Sequence, residues 1–536
     1  MTRAGRSEPR WRRHLVLAGI AAAYLLIFPY FRALENPNEN VRIWATRAVV
    51  AHGTWDISQV VAEWGPVTDT AAAGGHRYSS KAPGTSALGI PVHFIHDRLS
   101  RLFAGHAPSQ ISTTWALRVF TVILPLLAFL WFFARRIEHE TESPFARDLL
   151  TLALGLGTMF YPYGLAFVGH VPSAALAFAG FLALVPARGP QAQAPLPSRR
   201  ALLAGALVGL SVCFEYQTLL AAVVLAGLAV WSLRGRVWLF ALGALGPALL
   251  LGIYHATLFG HPWELPYAHL DDPGYALYHH SRGFLGLGQP RMRVLVSGFF
   301  SVDYGLFVYS PLLAAGFAMA LWTVVRKGDR ICGVVVAVTF VMAVFLSGMA
   351  NWRAGWCAAG PRYIAVVVPF LVHAIAVCWH DLVAPRRWLG AAVLALTLVS
   401  VGLCALSGLF PHFPLQLDNP IFDLVLPLVR AGFVPHSLGT ALGLTGLPAL
   451  LPWAAAIVAA LVLVVRAAPL GRRGTGAAVA ASLVLLLGLS TYGKKTREDQ
   501  RVRAFIEGIW EPVRDRPDHI GPPAHPSEGG GDHGPA

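Results

Sequence analysis

Apolar residues run along this chain in long blocks broken by short, Arg-rich polar stretches. Thirteen of the blocks approach the roughly 20 residues an α-helix needs to cross a bilayer. They are centred on Leu15 to Tyr30, Trp115 to Ala134, Leu149 to Phe167, Val171 to Val185, Ala201 to Phe214, Thr218 to Leu233, Val237 to Phe259, Tyr304 to Val325, Ile331 to Met349, Tyr363 to Trp379, Leu389 to Phe410, Leu450 to Val465 and Ala477 to Tyr492. The stretch Ala201 to Leu233 reads either as one over-long helix or as two tight ones meeting at Glu215-Tyr216-Gln217. With two helices, the clusters Arg12-Arg13, Arg135-Arg136, Arg199-Arg200, Arg234/Arg236, Arg326-Lys327, Arg386-Arg387 and Arg472-Arg473 all fall on one side of the membrane. One helix would invert the later clusters, so the basic residues favour two. The expected fold is an all-α polytopic membrane protein of about 13 transmembrane helices.

Composition agrees with lipid as the solvent. Of 536 residues, 55% are hydrophobic and only 13% charged, against about a quarter charged in soluble domains. The formal charge of +14 need not mean nucleic acid, because Lys and Arg also collect in cytoplasmic loops. With the N-terminus cytoplasmic, the inner segments hold 21 basic and seven acidic residues, and the outer ones 21 of each. The excess charge therefore orients the chain in the inner (cytoplasmic) membrane and leaves a neutral external face. The expected divisions are a cytoplasmic N-terminus (1–14), a transmembrane body (15–492) and an external, largely disordered tail (493–536). A signal peptide is the other reading of the first span, but no A-x-A cleavage site follows it. Five cysteines without a C-x-x-C pair give neither a disulfide framework nor a zinc site.

Chemistry then belongs to the external segments 31–114, 260–303 and 411–449. The first is the richest. Asn36-Pro37-Asn38-Glu39 reads as an N-cap, a proline at the first helical position and a glutamate three residues after the cap. Val41, Trp44, Ala45, Ala48 and Val49 recur at helical spacing, predicting a basic amphipathic helix lying in the interface and stopping at Gly53. Asp56, Glu63 and Asp69 follow, then Gly75-His76-Arg77-Tyr78-Ser79-Ser80-Lys81-Ala82-Pro83.

One span, then an external acidic residue leading an interfacial helix, resembles the GT-C membrane glycosyltransferases. The resemblance is to the branch containing protein O-mannosyltransferases and the lipid A aminoarabinose transferase. There an Asp-Glu pair opens the helix, a Gly closes it and a Lys-Pro-Pro motif follows. Here the positions read Asn38-Glu39, Gly53 and Lys81-Ala82-Pro83, with Asn38 and Ala82 as departures. The later pieces Gly305 to Pro311 and Gly360-Pro361-Arg362-Tyr363 look like segments of bacterial members. The resemblance implies transfer of a sugar from a polyprenyl-phosphate donor to an acceptor (lipid, glycan or protein) at the external face, with no cofactor. It implies Glu39, or failing that Asp56, as the base, and Lys81, Arg362 and Arg353 as cations for the carrier phosphate. The absence of a D-x-D in the first loop argues against the metal-dependent oligosaccharyl branch.

Each of these residues has a plainer explanation as well. Glu39 completes a capping box. Lys81, one of only four lysines beside 38 arginines, reads alternatively as a solvated turn residue, although its compact ammonium suits a phosphate. Arg362 at a span end is also placed to snorkel, and Trp352, Trp356 and Tyr363 make an aromatic belt. His170, Tyr78 and Glu63 are candidate substrate contacts, and Glu215 is either an intramembrane acid or the tip of a helical hairpin breaking the surface. His93-x-x-His96-Asp97 lacks a full ligand set, so no metal is expected. The rivals to an enzyme are a non-catalytic flippase or transporter of lipid-linked glycans, which needs charged groups along a path through the bundle, and a scaffold for cell-envelope assembly.

Overall fold

The computed structural model describes residues 11–31, 36–185, 195–353, 360–411 and 417–492. The tail 493–536, the first ten residues and Trp356 lie outside them. Each of the thirteen apolar blocks is helical over most of its length. Six helical stretches are long and apolar enough to cross a membrane: Gln110–Thr141, Thr218–Phe259, Arg330–Gly348, Arg387–Leu409, Leu447–Arg466 and Gly471–Thr491. The chain is thus a multi-pass helical membrane protein. The count of thirteen spans is not reached by that measure, because shorter apolar helices such as His170–Leu184 and Val367–Val377 fall below the roughly 20 residues a straight crossing needs.

The ambiguous stretch is two helices, Ser198–Phe214 and Thr218–Leu233, parted at Glu215. Glu215 is extended there (φ −150°, ψ 117°) and breaks the helical ladder. The chain turns back at Arg234, whose φ is +50°. Contacts also gather several of the basic clusters at one end of the bundle. Arg13 pairs with Glu138 at 3.2 Å and Arg147 with the same carboxylate at 3.1 Å. Phe145 meets Trp379 at 6.1 Å, and Lys327 pairs with Asp381 at 2.7 Å. The described cysteines, Cys213, Cys332, Cys378 and Cys404, are buried.

The body is not purely helical. Ile27–Phe28 pairs antiparallel with His436–Ser437, closing the end of the first helix against the segment 411–449. Thr70–Ala73 and His76–Ser79 form a hairpin. Its two-residue turn is Gly74-Gly75, with φ of +60° and +81°, the left-handed pair that a tight right-twisting hairpin demands.

Candidate active site at one end of the bundle

The first-loop helix, Pro37–His52, starts and stops where its sequence dictates. The Asn36 side chain accepts from the Glu39 N–H, Pro37 takes the first position, and Gly53 (φ +68°) closes the end by donating to the carbonyls of Ala48 and Val49. The helix is not a simple amphipathic one, however. Asn38, Glu39, Arg42 and Thr46 are buried along with Val41, Trp44, Ala45 and Ala48. It is clamped between other elements on more than one side, so its polar positions are interior and must find partners.

Glu39 has a full set. Its carboxylate takes two bonds from Arg118, Nε to Oε1 at 2.7 Å and Nη2 to Oε2 at 2.6 Å, and one from the Phe167 N–H at 2.6 Å. Arg118 in turn donates to the Pro29 carbonyl at 2.9 Å. Glu39 thus ties the first-loop helix to the spanning helix that carries Arg118. Its acceptor lone pairs are occupied, which leaves little room for a substrate proton.

Lys81 is where the charges converge. The hairpin register sets Thr70 opposite Ser79, and one step beyond it the Ser80 N–H donates to the Asp69 carbonyl at 3.0 Å. That places Lys81 beside Asp69, with Nζ to Oδ2 at 3.0 Å. Lys81 is 4% exposed and Asp69 8%. The segment 260–303 closes over them. Asp271 receives Arg77 Nε at 2.6 Å, its N–H donates to the Thr70 carbonyl at 3.2 Å, and the rings of Tyr267 and Tyr275 stand 5.4 and 5.6 Å from Lys81 Nζ. Burial pushes the Lys81 ammonium below its ordinary pKa; Asp69 opposes this, and the charges of Arg42 and Arg362 reinforce it. Burial first, and the charge of Lys81 next, hold the His279 imidazole down to about 4, so it is neutral near pH 7.

A second buried pair adjoins the first. Arg42, fully buried, donates to Glu215 Oε1 at 2.8 Å and to the backbone and side-chain oxygens of Asn38. Glu215 also faces His170 Nδ1 at 3.3 Å and accepts from Gln217 at 3.1 Å. Two glycines make this packing possible. A Cβ on Gly84 would stand 2.6 Å from the Cys213 carbonyl oxygen, and one on Gly169 would stand 2.3 Å from the Phe214 oxygen and 2.7 Å from Glu215 Oε1. Both let backbone pass tightly against the helix break that presents Glu215.

Lys81, Arg362 and His170 are thus brought into one neighbourhood, while the other candidates are committed elsewhere. Asp56 accepts from Ser58 at 2.6 Å and faces His76 at 2.8 Å. Its partial burial is outweighed by the bonds from Ser58, His76 and Arg77, which take its carboxyl to about 2. Glu63 pairs with Arg47 at 2.6 Å and His52 at 3.3 Å. Tyr78 packs edge-on against Phe259 at 5.7 Å, and Arg353 pairs with Asp303 at 2.7 Å.

Asp69 and Arg42 were not singled out from sequence, although a signal for Asp69 existed. A Gly-Gly turn between Ala71-Ala72-Ala73 and His76-Arg77-Tyr78 fixes a hairpin, and counting outward sets Asp69 against Ser80 beside Lys81. Among the described residues no group of three or more His, Cys, Asp or Glu is placed to hold a metal.

Neither a protein-family model nor a curated protein matches the chain. Among solved structures it is similar to ArnT from Cupriavidus metallidurans bound to undecaprenyl phosphate, at 15% identity and a TM-score of 0.45 over 89% of this chain and 77% of that one. It is also similar to the oligosaccharyltransferase of Archaeoglobus fulgidus in the apo form, at 12% identity and a TM-score of 0.40 over 97% and 62%. A third is the arabinosyltransferase EmbB from Mycobacterium smegmatis, at 14% identity and a TM-score of 0.41 over 94% and 44%. These likenesses are distant, and what the chain does rests on the chemistry of its own buried cluster.

Proposed function

We propose that the chain is a GT-C-type glycosyltransferase that moves a sugar from a polyprenyl-phosphate donor to an acceptor at the external face of the inner membrane, with its N-terminus cytoplasmic. The observation that carries this is the buried cluster of Lys81, Arg42 and Arg362 around Asp69 and Glu215. Gathering three cations away from water is costly, and an anion entering beside them offsets that cost. Ser80 Oγ and Thr85 Oγ1, flanking Lys81 in sequence, are buried without a hydrogen-bond partner among the described residues. Two spare buried hydroxyls within four residues of an ammonium offer donors for phosphate oxygens.

In this mechanism the carrier phosphate draws Lys81 from Asp69. The freed Asp69 carboxylate then takes the proton from the acceptor hydroxyl or amine as that atom attacks the sugar's anomeric carbon. The bond from that carbon to the phosphate oxygen breaks, and the electron pair leaves with the lipid phosphate. Lys81 and Arg362 stabilise the negative charge that develops there. Lys81 is the phosphate ligand expected from sequence, and Asp69 replaces Glu39 and Asp56 as the preferred base.

Membranes carrying Lys81→Gln, assayed with a polyprenyl-phosphate sugar, are expected to lose roughly 100-fold or more in transfer, the usual cost of one such electrostatic donor. Transfer at the wild-type rate by a folded Lys81→Gln protein would overturn the assignment. The flippase and scaffold alternatives predict no transfer by the wild type in the same assay.

A further inference from the structure

A cleft of about 420 Å³ opens at the opposite end of the bundle from the candidate site. Arg200 lies on its wall, and Glu215 of the candidate site lies 15 residues further along the same helical run, or roughly 22 Å at 1.5 Å per residue. The cleft is therefore separate from the catalytic cluster. One wall is a face of the long helix Gln110–Thr141. Trp131, Arg135 and His139 follow one another at intervals of four, so they stack along one side, with Phe132 and Arg136 beside them. Leu182 and Arg200 supply the other wall.

The order of side chains is amphiphilic. Trp131 and Phe132, both 43% exposed, lie toward the middle of the spanning helix, and the basic groups lie toward its end. None of the residues lining the cleft is acidic. Arg136 is paired with Glu140 at 2.5 Å, and Glu138 is taken by Arg13 and Arg147. Arg135 stands 5.0 Å over the Trp131 ring. Arg200 donates to the carbonyls of Leu182 and Val185 at 3.0 and 3.3 Å. Neither Arg135 nor Arg200 has a carboxylate partner among the described residues.

We propose that this cleft binds an anionic phospholipid of the adjacent leaflet, its phosphate held by Arg135, Arg200 and His139 and its acyl chain laid against Trp131 and Phe132. Charge complementarity supplies the headgroup argument, since basic pockets between spanning helices favour anionic lipid heads. The aromatic pair one turn deeper supplies the chain argument, because a free phosphate has no use for exposed Trp and Phe.

Native mass spectrometry of the detergent-purified full chain tests this. The wild type is expected to retain phosphatidylglycerol over phosphatidylcholine by about thirtyfold, the contribution of two basic side chains near an anionic head. Arg135→Gln/Arg200→Gln is expected to lower phosphatidylglycerol retention about thirtyfold while leaving phosphatidylcholine unchanged. Because Arg200 also ties two backbone carbonyls, Arg135→Gln alone serves where the double variant fails to fold, with about fivefold loss expected. Equal retention of the two lipids by the wild type, or undiminished phosphatidylglycerol on a folded variant, would overturn the proposal. Displacement of the lipid by inorganic phosphate at equal concentration would also overturn it, in favour of a free-anion pocket.

Discussion

At the scale of single residues, the carboxylates of the first loop differ in how far their oxygens are already used. Glu39 accepts three bonds from Arg118 and Phe167, and Asp56 is filled by Ser58, His76 and the Arg77 N–H. Asp69 has Lys81, which a phosphate would claim. This ranking was only partly legible in the sequence. Lys81 stood out as a rare lysine in an arginine-rich chain, whereas the partners of Glu39 lie 79 and 128 residues away and no local pattern announces them. Asp56 yields a pH prediction. Its folded pKa of about 2 lies below the ordinary 3.8, so its stabilisation is present above the ordinary value and is lost as pH falls from about 4 through 2. Asp56→Asn should flatten the acid limb of thermal stability in that window, read by the melting midpoint against pH. Lys81 acts in the other direction. Because burial lowers its pKa, the alkaline limb of the pH–rate profile should fall below an ordinary lysine's 10.5, and Lys81→Arg should move that limb upward whatever it does to the rate.

At the scale of elements, the Glu39–Arg118 pair ties the first-loop helix to the spanning helix Gln110–Thr141. Glu39→Gln leaves Arg118 buried beside a neutral amide, and removing one partner of such a pair costs about 3–5 kcal/mol. A large drop in the melting midpoint is expected, with donor binding by the surviving folded fraction retained. A midpoint equal to that of the wild type would contradict the structural role given to Glu39. Gly84→Ala forces a Cβ toward the Cys213 carbonyl and is expected to cost roughly 1–3 kcal/mol, the usual range for overpacking. It should also push the segment carrying Lys81 away from the helix break at Cys213–Phe214 and so lower turnover. The caps of this helix were legible because N-cap chemistry is local. Its burial was not, because Arg42 meets Glu215 across 173 residues, a contact set by the packing of spans.

At the scale of the whole molecule, the charge pattern carried most of the information. The basic clusters predicted the break between Ser198–Phe214 and Thr218–Leu233, and contacts among Arg13, Glu138 and Arg147 gather several of them at one end. Lys81, Arg42 and Arg362 form a polar group at the other. The hairpin that delivers Asp69 was invisible to hydropathy, since four residues per strand are too few for a periodic signal. The central claim is that Lys81 binds the carrier phosphate and Asp69 takes the acceptor's proton. It is tested most directly by measuring donor binding and single-turnover transfer side by side for Lys81→Gln and Asp69→Asn. The account predicts that Lys81→Gln loses both, and that Asp69→Asn keeps donor binding while transfer falls by roughly 100-fold or more, within the range for losing a general base. Wild-type transfer by folded Asp69→Asn, or undiminished donor binding by folded Lys81→Gln, would contradict it.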